Sequence, residues 1–452
     1  MSEVQGSPDL TREIPAPVPA AQRIASIDVL RGVALFGILL MNIVAFGLPG
    51  AAYGNPTVAG GATGANLAFW AVCQVLVEGK MRALFSMLFG AGVVLLTGRI
   101  EDQGGGVRSA DIYYRRTLWL ILFGALHAYF IWSGDILYGY GVAGLFLFPF
   151  RRQSPKFLLL AGLLVLAVMI PKSILEGRRL ETMRSAATAA DKAAAAGRTP
   201  TDEQREAQME WRETLKEMKP APAQVRQELA DHRAGYRKLF LRRMDEVSEG
   251  ESKGFYRFGF FDVAGMMLLG MGLFKLGVFS GARAFRFYAR MALLGYAVGV
   301  PINWYIAQRD LRHQFDPVQM YVGYSGYDIA RLVVALGHAG VALMLCKADL
   351  LRPLVTRLAA VGRMALTNYL ATSVLCTLFF DGFGAGWFGR LRRIQLLYVV
   401  APIWIAQLLL SPIWLRHFRF GPMEWVWRSL THWRRQPMRR GPLEGRSSIT
   451  DL

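Results

Sequence analysis

Apolar runs of membrane-spanning length recur along this chain, and they decide its fold class before any single motif does. A helix of about 20 apolar residues crosses a bilayer. Within lipid every backbone N–H and C=O needs an internal partner, which leaves helices or closed barrels. Ten runs are read, at roughly 29–48, 81–98, 116–133, 136–150, 157–175, 258–279, 290–308, 328–346, 363–380 and 395–415. The chain is 53% hydrophobic and 19% charged, where a soluble domain carries about 25% charged residues. The reading is an all-α polytopic membrane protein with about ten transmembrane helices and one extracytoplasmic helical insert.

The net charge of +19 would suggest a nucleic-acid partner on a soluble protein. Here Lys and Arg gather in alternate loops, such as Arg115 and Arg116, Arg151 and Arg152, and Arg283, Arg286 and Arg290. That is the positive-inside pattern of a membrane protein with both termini cytoplasmic. No nucleic acid is expected. Residues 1–22 are polar and Pro-rich, without the apolar core of a signal peptide, and read as a disordered cytoplasmic tail. Residues 23–175 form an N-terminal membrane half of five spans, and 257–415 a C-terminal half of five more. Residues 66–78 are apolar but short, and read as a helix at the outer interface.

Between the halves, 176–256 is rich in Ala, Glu, Lys and Arg and holds no span. Residues around Gly197 and Pro222 divide it into about three helices, with Thr201 and Asp202 as a start signal. It reads as a solvated cap or as a lid over an outward-facing entrance. Residues 416–452 are a basic cytoplasmic tail. Its aromatic and arginine residues suit an interfacial helix against anionic lipid. Cys73, Cys346 and Cys376 lie in apolar runs without CxxC spacing. No phosphate loop, dinucleotide fingerprint or metal-ligand spacing occurs, and no metal is expected.

Polar side chains at membrane depth need a protein partner or a cavity. The topology brings Asn42, Lys80, His127, Asp135 and Asp262 to similar depth on the outer side. Each has a plainer reading. His127 could be a packed interhelix residue, and Asp135 could cap the following helix. Yet a histidine also titrates near neutrality and passes protons both ways. Trp132 lies between His127 and Asp135 and, with Lys80 and Asp262, is read as substrate-binding. His338, flanked by small residues, is a weaker candidate; His232, His417 and His432 read as solvated. On the inner side stand Asp28, Arg31, Arg115, Arg116, Arg363 and Asn368. These arginines are topology signals, but a phosphate-rich cytosolic donor would also want them there.

Ile27-Asp28-Val-Leu-Arg31-Gly, Asn42-Ile-Val-Ala-Phe46-Gly, and Gly124-Ala-Leu-His127 with Trp132-Ser-Gly-Asp135 resemble motifs of the YeiB family of bacterial inner-membrane proteins. Gly362-Arg363-Met-Ala-Leu-Thr367-Asn368-Tyr369 and Phe420-Gly-Pro422-Met-Glu424-Trp425 resemble that family's C-terminal domain of unknown function. The likeness covers nearly the whole membrane part and implies a bacterial inner (plasma) membrane location. The opening motif also resembles the wider transmembrane acyltransferase superfamily. Acyltransferase family 3 carries a His where this chain has Asn42. The lysosomal heparan-α-glucosaminide N-acetyltransferases have Asn there and take their His from an outside loop. Residues 49–79 here contain no His, so the resemblance carries over Asn42 and leaves His127 as a hypothetical replacement.

The resulting expectation is a membrane-embedded acyltransferase. It moves an acyl group, acetyl first among them, from cytosolic acyl-CoA to an acceptor at the outer side. Arg31, Arg363, Arg115, Arg116 and Asn368 would hold the donor. His127, Asp135 and Asn42 would carry the chemistry as base, orienting carboxylate and oxyanion donor. The acceptor would be a small molecule, lipid or glycan, and glycine-rich faces are compatible with a homodimer. The alternatives are a secondary transporter using the same buried groups, and an inactive acyltransferase-like scaffold.

Overall fold

The computed structural model describes residues 24–348 and 351–440; the tail of residues 1–22 lies outside them. Among the described residues the chain forms helices and no β-strand, with one isolated bridge between Phe418 and Arg439. The first half contains α1 (Ala25–Gly47), α2 (Gly64–Leu76), α3 (Lys80–Asp102), α4 (Gly106–Phe130), α5 (Leu137–Leu145) and α6 (Pro155–Ala167). Then come α7 (Met169–Ala195), α8 (Asp202–Met218), α9 (Pro222–His232) and α10 (Tyr236–Glu249). The chain re-enters the bundle through α11 (Phe260–Lys275), followed by α12 (Phe285–Arg312), α13 (Pro317–Gly323) and α14 (Tyr327–Ala348). It ends with α15 (Arg352–Arg363), α16 (Ala365–Phe380), α17 (Leu397–His417) and α18 (Pro422–Thr431).

Among the described residues, six helical stretches are long and apolar enough to cross a membrane: Ala25–Gly47, Gly64–Asp102, Pro155–Ala195, Tyr236–Lys275, Pro317–Ala348 and Arg393–His417. The ten runs read from the sequence all coincide with helices. Four of those helices fall outside the six for physical reasons. α5 and α16 are short, at 9 and 16 residues. α4 and α12 carry charged residues well into their lengths, including Arg115, Arg116, Arg290 and Arg309.

α1 is the central post. It packs against α3, α14, α15, α16 and α17. Its apolar stretch is 67% buried, against 17% for the stretch that contains α17. Where α1 crosses α15, a Cβ on Gly32 would strike Leu358 O and one on Gly362 would strike Asp28 O. Only glycine allows so close an approach of two backbones. The crossing sets the flanking residues, Arg31 and Arg363, at one end of the bundle. At the other end Gly79 (φ +69°) makes the turn from α2 into α3, and the Tyr327 hydroxyl occupies the space its Cβ would need.

α6 and α7 are joined through helical backbone at Val168, so one rod leaves the bundle and becomes the first helix of the insert. Thr201 forms a capping box with Gln204 at the start of α8, as the start signal suggested. A further break at Ala234-Gly235 separates α9 from α10, so the insert has four helices rather than about three. The insert is fastened to the bundle by Gly382 N–H to His232 O (2.8 Å) and Gly50 N–H to Glu228 Oε1 (2.9 Å).

The tail helix α18 docks on protein. Trp427 Nε1 donates to Arg116 O at 2.8 Å and Arg115 donates to Thr431 O at 2.9 Å. Glu424 accepts from Leu366 N–H (2.7 Å), Thr367 N–H (3.1 Å) and the Thr367 hydroxyl (2.5 Å). A carboxylate there satisfies orphan donors at the start of α16 and faces its positive dipole end.

Candidate functional site

Two groups of cavities lie at opposite ends of α1, α3 and α4. The first, about 380 Å³, opens at the end where Arg31 and Arg363 sit. Arg31, Arg99, Arg116, Arg363 and Arg428 line it, against only two carboxylates, Asp28 and Glu424. Both carboxylates have local duties. Asp28 pairs with Arg31 at 3.3 Å, and Glu424 caps α16. The Arg116 guanidinium lies over the Trp427 ring at 3.6 Å. His432 is also in the lining; burial, then Arg428, Arg116 and Arg115, push its pKa down to about 4. This end is therefore electropositive and suited to phosphate.

The basic cavity turns apolar as it deepens, reaching Phe85, Phe89, Leu137 and Tyr140. On α3 it extends from Gln103 to Phe85, roughly 27 Å at 1.5 Å per helical residue. Tyr140 stands at its deep end, its hydroxyl 2.7 Å from Ser86 Oγ and donating to Arg82 O at 3.1 Å.

One turn beyond Phe85, Arg82 lines a second cavity of about 300 Å³. Asn42, Tyr53, Trp132, Gly134 and Asp135 share it. A third cavity, about 270 Å³, lies between this end of the bundle and the insert. It has Ala45, Trp132 and Gly134 in common with the second.

His127 and Asp135 are held beside the second cavity. Gly124 on α4 lies so close to α5 that a Cβ there would strike the Tyr138 backbone, which draws the end of α4 against the start of α5. Asp135 Oδ2 accepts the Tyr138 N–H at 2.7 Å, so the capping role is real. Its Oδ1 lies 2.8 Å from His127 Nδ1. The two side chains are only 1% and 2% exposed. His127 Nε2 has no hydrogen-bond partner. A carboxylate on Nδ1 favours the tautomer whose basic lone pair is on Nε2, the division of labour used in acyl transfer. Trp132 packs edge-on to the imidazole at 6.4 Å.

Over residues 273–434 the chain matches a family model described as "Protein of unknown function (DUF418)". It is 33% identical over 415 residues to "Uncharacterized protein YeiB" of Escherichia coli (strain K12), spanning 91% of this chain and 96% of that protein. The chain belongs to the YeiB family. "Uncharacterized protein YxaH" of Bacillus subtilis (strain 168) is 28% identical over 435 residues, 93% of this chain and 97% of that one. An "Uncharacterized 39.9 kDa protein in amylase 3'region" of Bacillus acidopullulyticus is 26% identical over 423 residues, 93% and 97% of the two chains. No solved structure matches the chain.

In this YeiB-family chain the residues singled out from the sequence are distributed unequally. Arg31, Arg116 and Arg363 meet in the basic cavity. Arg115 stands outside it, holding Thr431 O and Asp111. Asn368 is buried and donates to Val361 O and Ser411 Oγ, both at 3.1 Å, in helix packing. Asn42, Trp132 and Asp135 share the second cavity; His127 touches it only through Asp135 and Trp132. Lys80 is fully buried and donates to Gln74 O at 2.6 Å, away from the cavity lining. Asp262 lies beneath, paired with Arg331 and, at 3.5 Å, with Arg82. His338 is held on both ring nitrogens, by Tyr296 (2.7 Å) and Leu76 O (2.6 Å).

Sequence reasoning gave no site role to Arg82, Arg428, His432 or the pair His232–Asp381. His232 is not solvated: it lies 3.0 Å from Asp381 Oδ1 and stacks on Phe388 with centroids 3.7 Å apart. The basic tail concealed His432 and Arg428, because a charge run reads as solvated until a fold wraps it around a cavity. Among the described residues, no group of three or more His, Cys, Asp or Glu is gathered to hold a metal ion.

Proposed function

We propose that this protein is a transmembrane O- or N-acyltransferase. It uses cytosolic acyl-CoA, acetyl-CoA first among the donors, and an acceptor at the outer side of a bacterial inner membrane. The observation that carries the reading is the pair of cavities at opposite ends of α1, α3 and α4. The arginine-lined one deepens to Phe85, and the one beside His127–Asp135 begins a turn further along α3. The arginine-rich end faces the cytoplasm, by the positive-inside bias. About ten spans, both termini cytoplasmic and the insert outside complete the topology.

Arg31, Arg363 and Arg116 hold the donor's phosphates, and the apolar stretch past Phe89 receives its arm. The thioester carbonyl arrives between Tyr140 and Asn42. The acceptor comes to His127 Nε2 from the cavity lined by Trp132 and Asp135, and the imidazole takes the proton from its hydroxyl or amine. The new C–O or C–N bond forms as the C–S bond breaks. The proton then passes from His127 to the leaving thiolate, giving free CoA. Asn42 donates to the developing oxyanion, an interaction worth ~3 kcal/mol where measured.

A transporter is the second reading, favoured by the buried charge cluster of Asp262, Asp328 and Arg331. Thermal stabilisation of detergent-purified protein by acetyl-CoA, longer acyl-CoAs and free CoA separates the two. A donor at 100 times its dissociation constant adds ~2.7 kcal/mol. The expected result is a rise in Tm that Arg31→Ala or Arg363→Ala abolishes. No rise with any CoA species, in folded protein, would overturn the acyltransferase reading in favour of solute transport.

A further inference from the structure

The third cavity is walled on one side by the bundle and on the other by α9 and α10, and its charges are unevenly spent. Arg242 is bound to Glu246 at 2.6 Å and Glu228 at 3.4 Å. Asp381 is bound to His232. Arg243, the next residue along, is 6% exposed and lines the cavity. Its Nη1 has no hydrogen-bond partner, and Asp381 and Glu246 act on it only from longer range. A buried guanidinium edge left bare beside paired neighbours is an unpaid desolvation cost that an anion removes. The carboxylates around it are good acceptors for hydroxyl groups.

We infer that this cavity is the acceptor subsite: it takes a polyhydroxylated molecule bearing one anionic group, with Arg243 as the residue that binds the anion. The inference rests on the acyltransferase reading for the word acceptor. Because the third cavity shares Ala45, Trp132 and Gly134 with the second, a molecule anchored on Arg243 reaches with a hydroxyl toward Asn42 and Asp135. The insert then serves as half of a binding site rather than as a solvated cap.

The test is binding to the full-length protein in detergent, with no CoA species present, so failure of the donor reading leaves the result intact. Thermal stability is titrated with glucose, glucuronate, glucose 6-phosphate and a short-chain phosphatidylglycerol at matched ionic strength. Glucuronate or glucose 6-phosphate is expected to stabilise where glucose does not, which places the anion on a soluble sugar. Stabilisation by phosphatidylglycerol alone supports the same site with a lipid headgroup as its source. Arg243→Gln is expected to weaken the dissociation constant at least tenfold and Arg243→Lys less, with Arg31→Ala unchanged. No anion-dependent stabilisation, or one lost in Arg31→Ala and kept in Arg243→Gln, would overturn the inference. If Arg243→Gln fails to fold, Thr377→Trp, which fills the same cavity from the bundle side, must abolish the effect.

Discussion

The two ends of this molecule treat buried charge in opposite ways. At the insert end, buried groups sit against unlike partners: His127 against Asp135, His232 against Asp381, and Asp262 between Arg331 and Arg82. At the other end, like charges accumulate: five arginines and His432 surround one cavity whose two carboxylates are already committed. Paired groups hold protons and geometry without needing a ligand. Massed cations raise the local potential, and an anionic ligand lowers it. Under the proposed function the insert end carries the proton transfer and the acceptor's anion on Arg243, and the other end holds the donor's phosphates.

The largest expected effect tests the paired end. His127→Gln should lower transfer by roughly 10²–10⁴-fold, the usual share of a general base, while acetyl-CoA stabilisation stays as in wild type. Loss of donor binding in that variant would erase the distinction between the ends. Next comes Asp135→Ala. It removes both the His127 contact and the cap on α5, and should cost about 2–3 kcal/mol in denaturant unfolding. Asp381→Ala should cost clearly less, because His232 keeps its stack on Phe388 and is 22% exposed.

Glu424→Ala should cost about 2 kcal/mol, since hydrogen bonds to a charged acceptor are worth ~1.5–3 kcal/mol. It should also weaken donor binding, as α18 loosens from the basic cavity. The last expected effect is a pH dependence. The unfolded chain protonates His432 near its ordinary value of about 6.5, but the folded chain does so only near 4. Stability contributed by neutral His432 is therefore complete above about 6.5 and is lost as pH falls toward 4. A bound phosphate reverses the penalty, so donor affinity should rise over the same window. Calorimetric titration at several pH values should show this, and His432→Gln should flatten both trends.

Much of the fold was legible because lipid enforces simple rules. Apolar length located helices at every expected place, and Thr201 and Pro222 marked starts in the insert. Charge content separates α4 and α12 from the six long apolar stretches, since Arg115, Arg116, Arg290 and Arg309 fall within or beside runs that length alone reads as spans. The arginines of the basic cavity were half legible. Arg31 and Arg363 flank glycines, and the Gly32–Gly362 crossing joins them across more than three hundred residues of chain. No local pattern reveals that crossing. Depth alone gathered Lys80 and Asp262 with Asn42 and Asp135, but depth does not fix azimuth around a bundle. Lys80 faces Gln74 and Asp262 faces Arg331. His232 was misjudged because the polar insert gave no sign that α9 lies down on the bundle.

The cap that Glu424 places on α16 also has a consequence for truncation. One wall of the basic cavity comes from Ile24 to Arg31 and another from Phe420 to His432, so the first and last of the described helices meet there. A chain cut before Gly421 would keep all six of the long apolar stretches and lose one wall of that cavity. Proteolysis between α17 and α18 is therefore expected to remove donor binding while leaving the rest of the bundle in place.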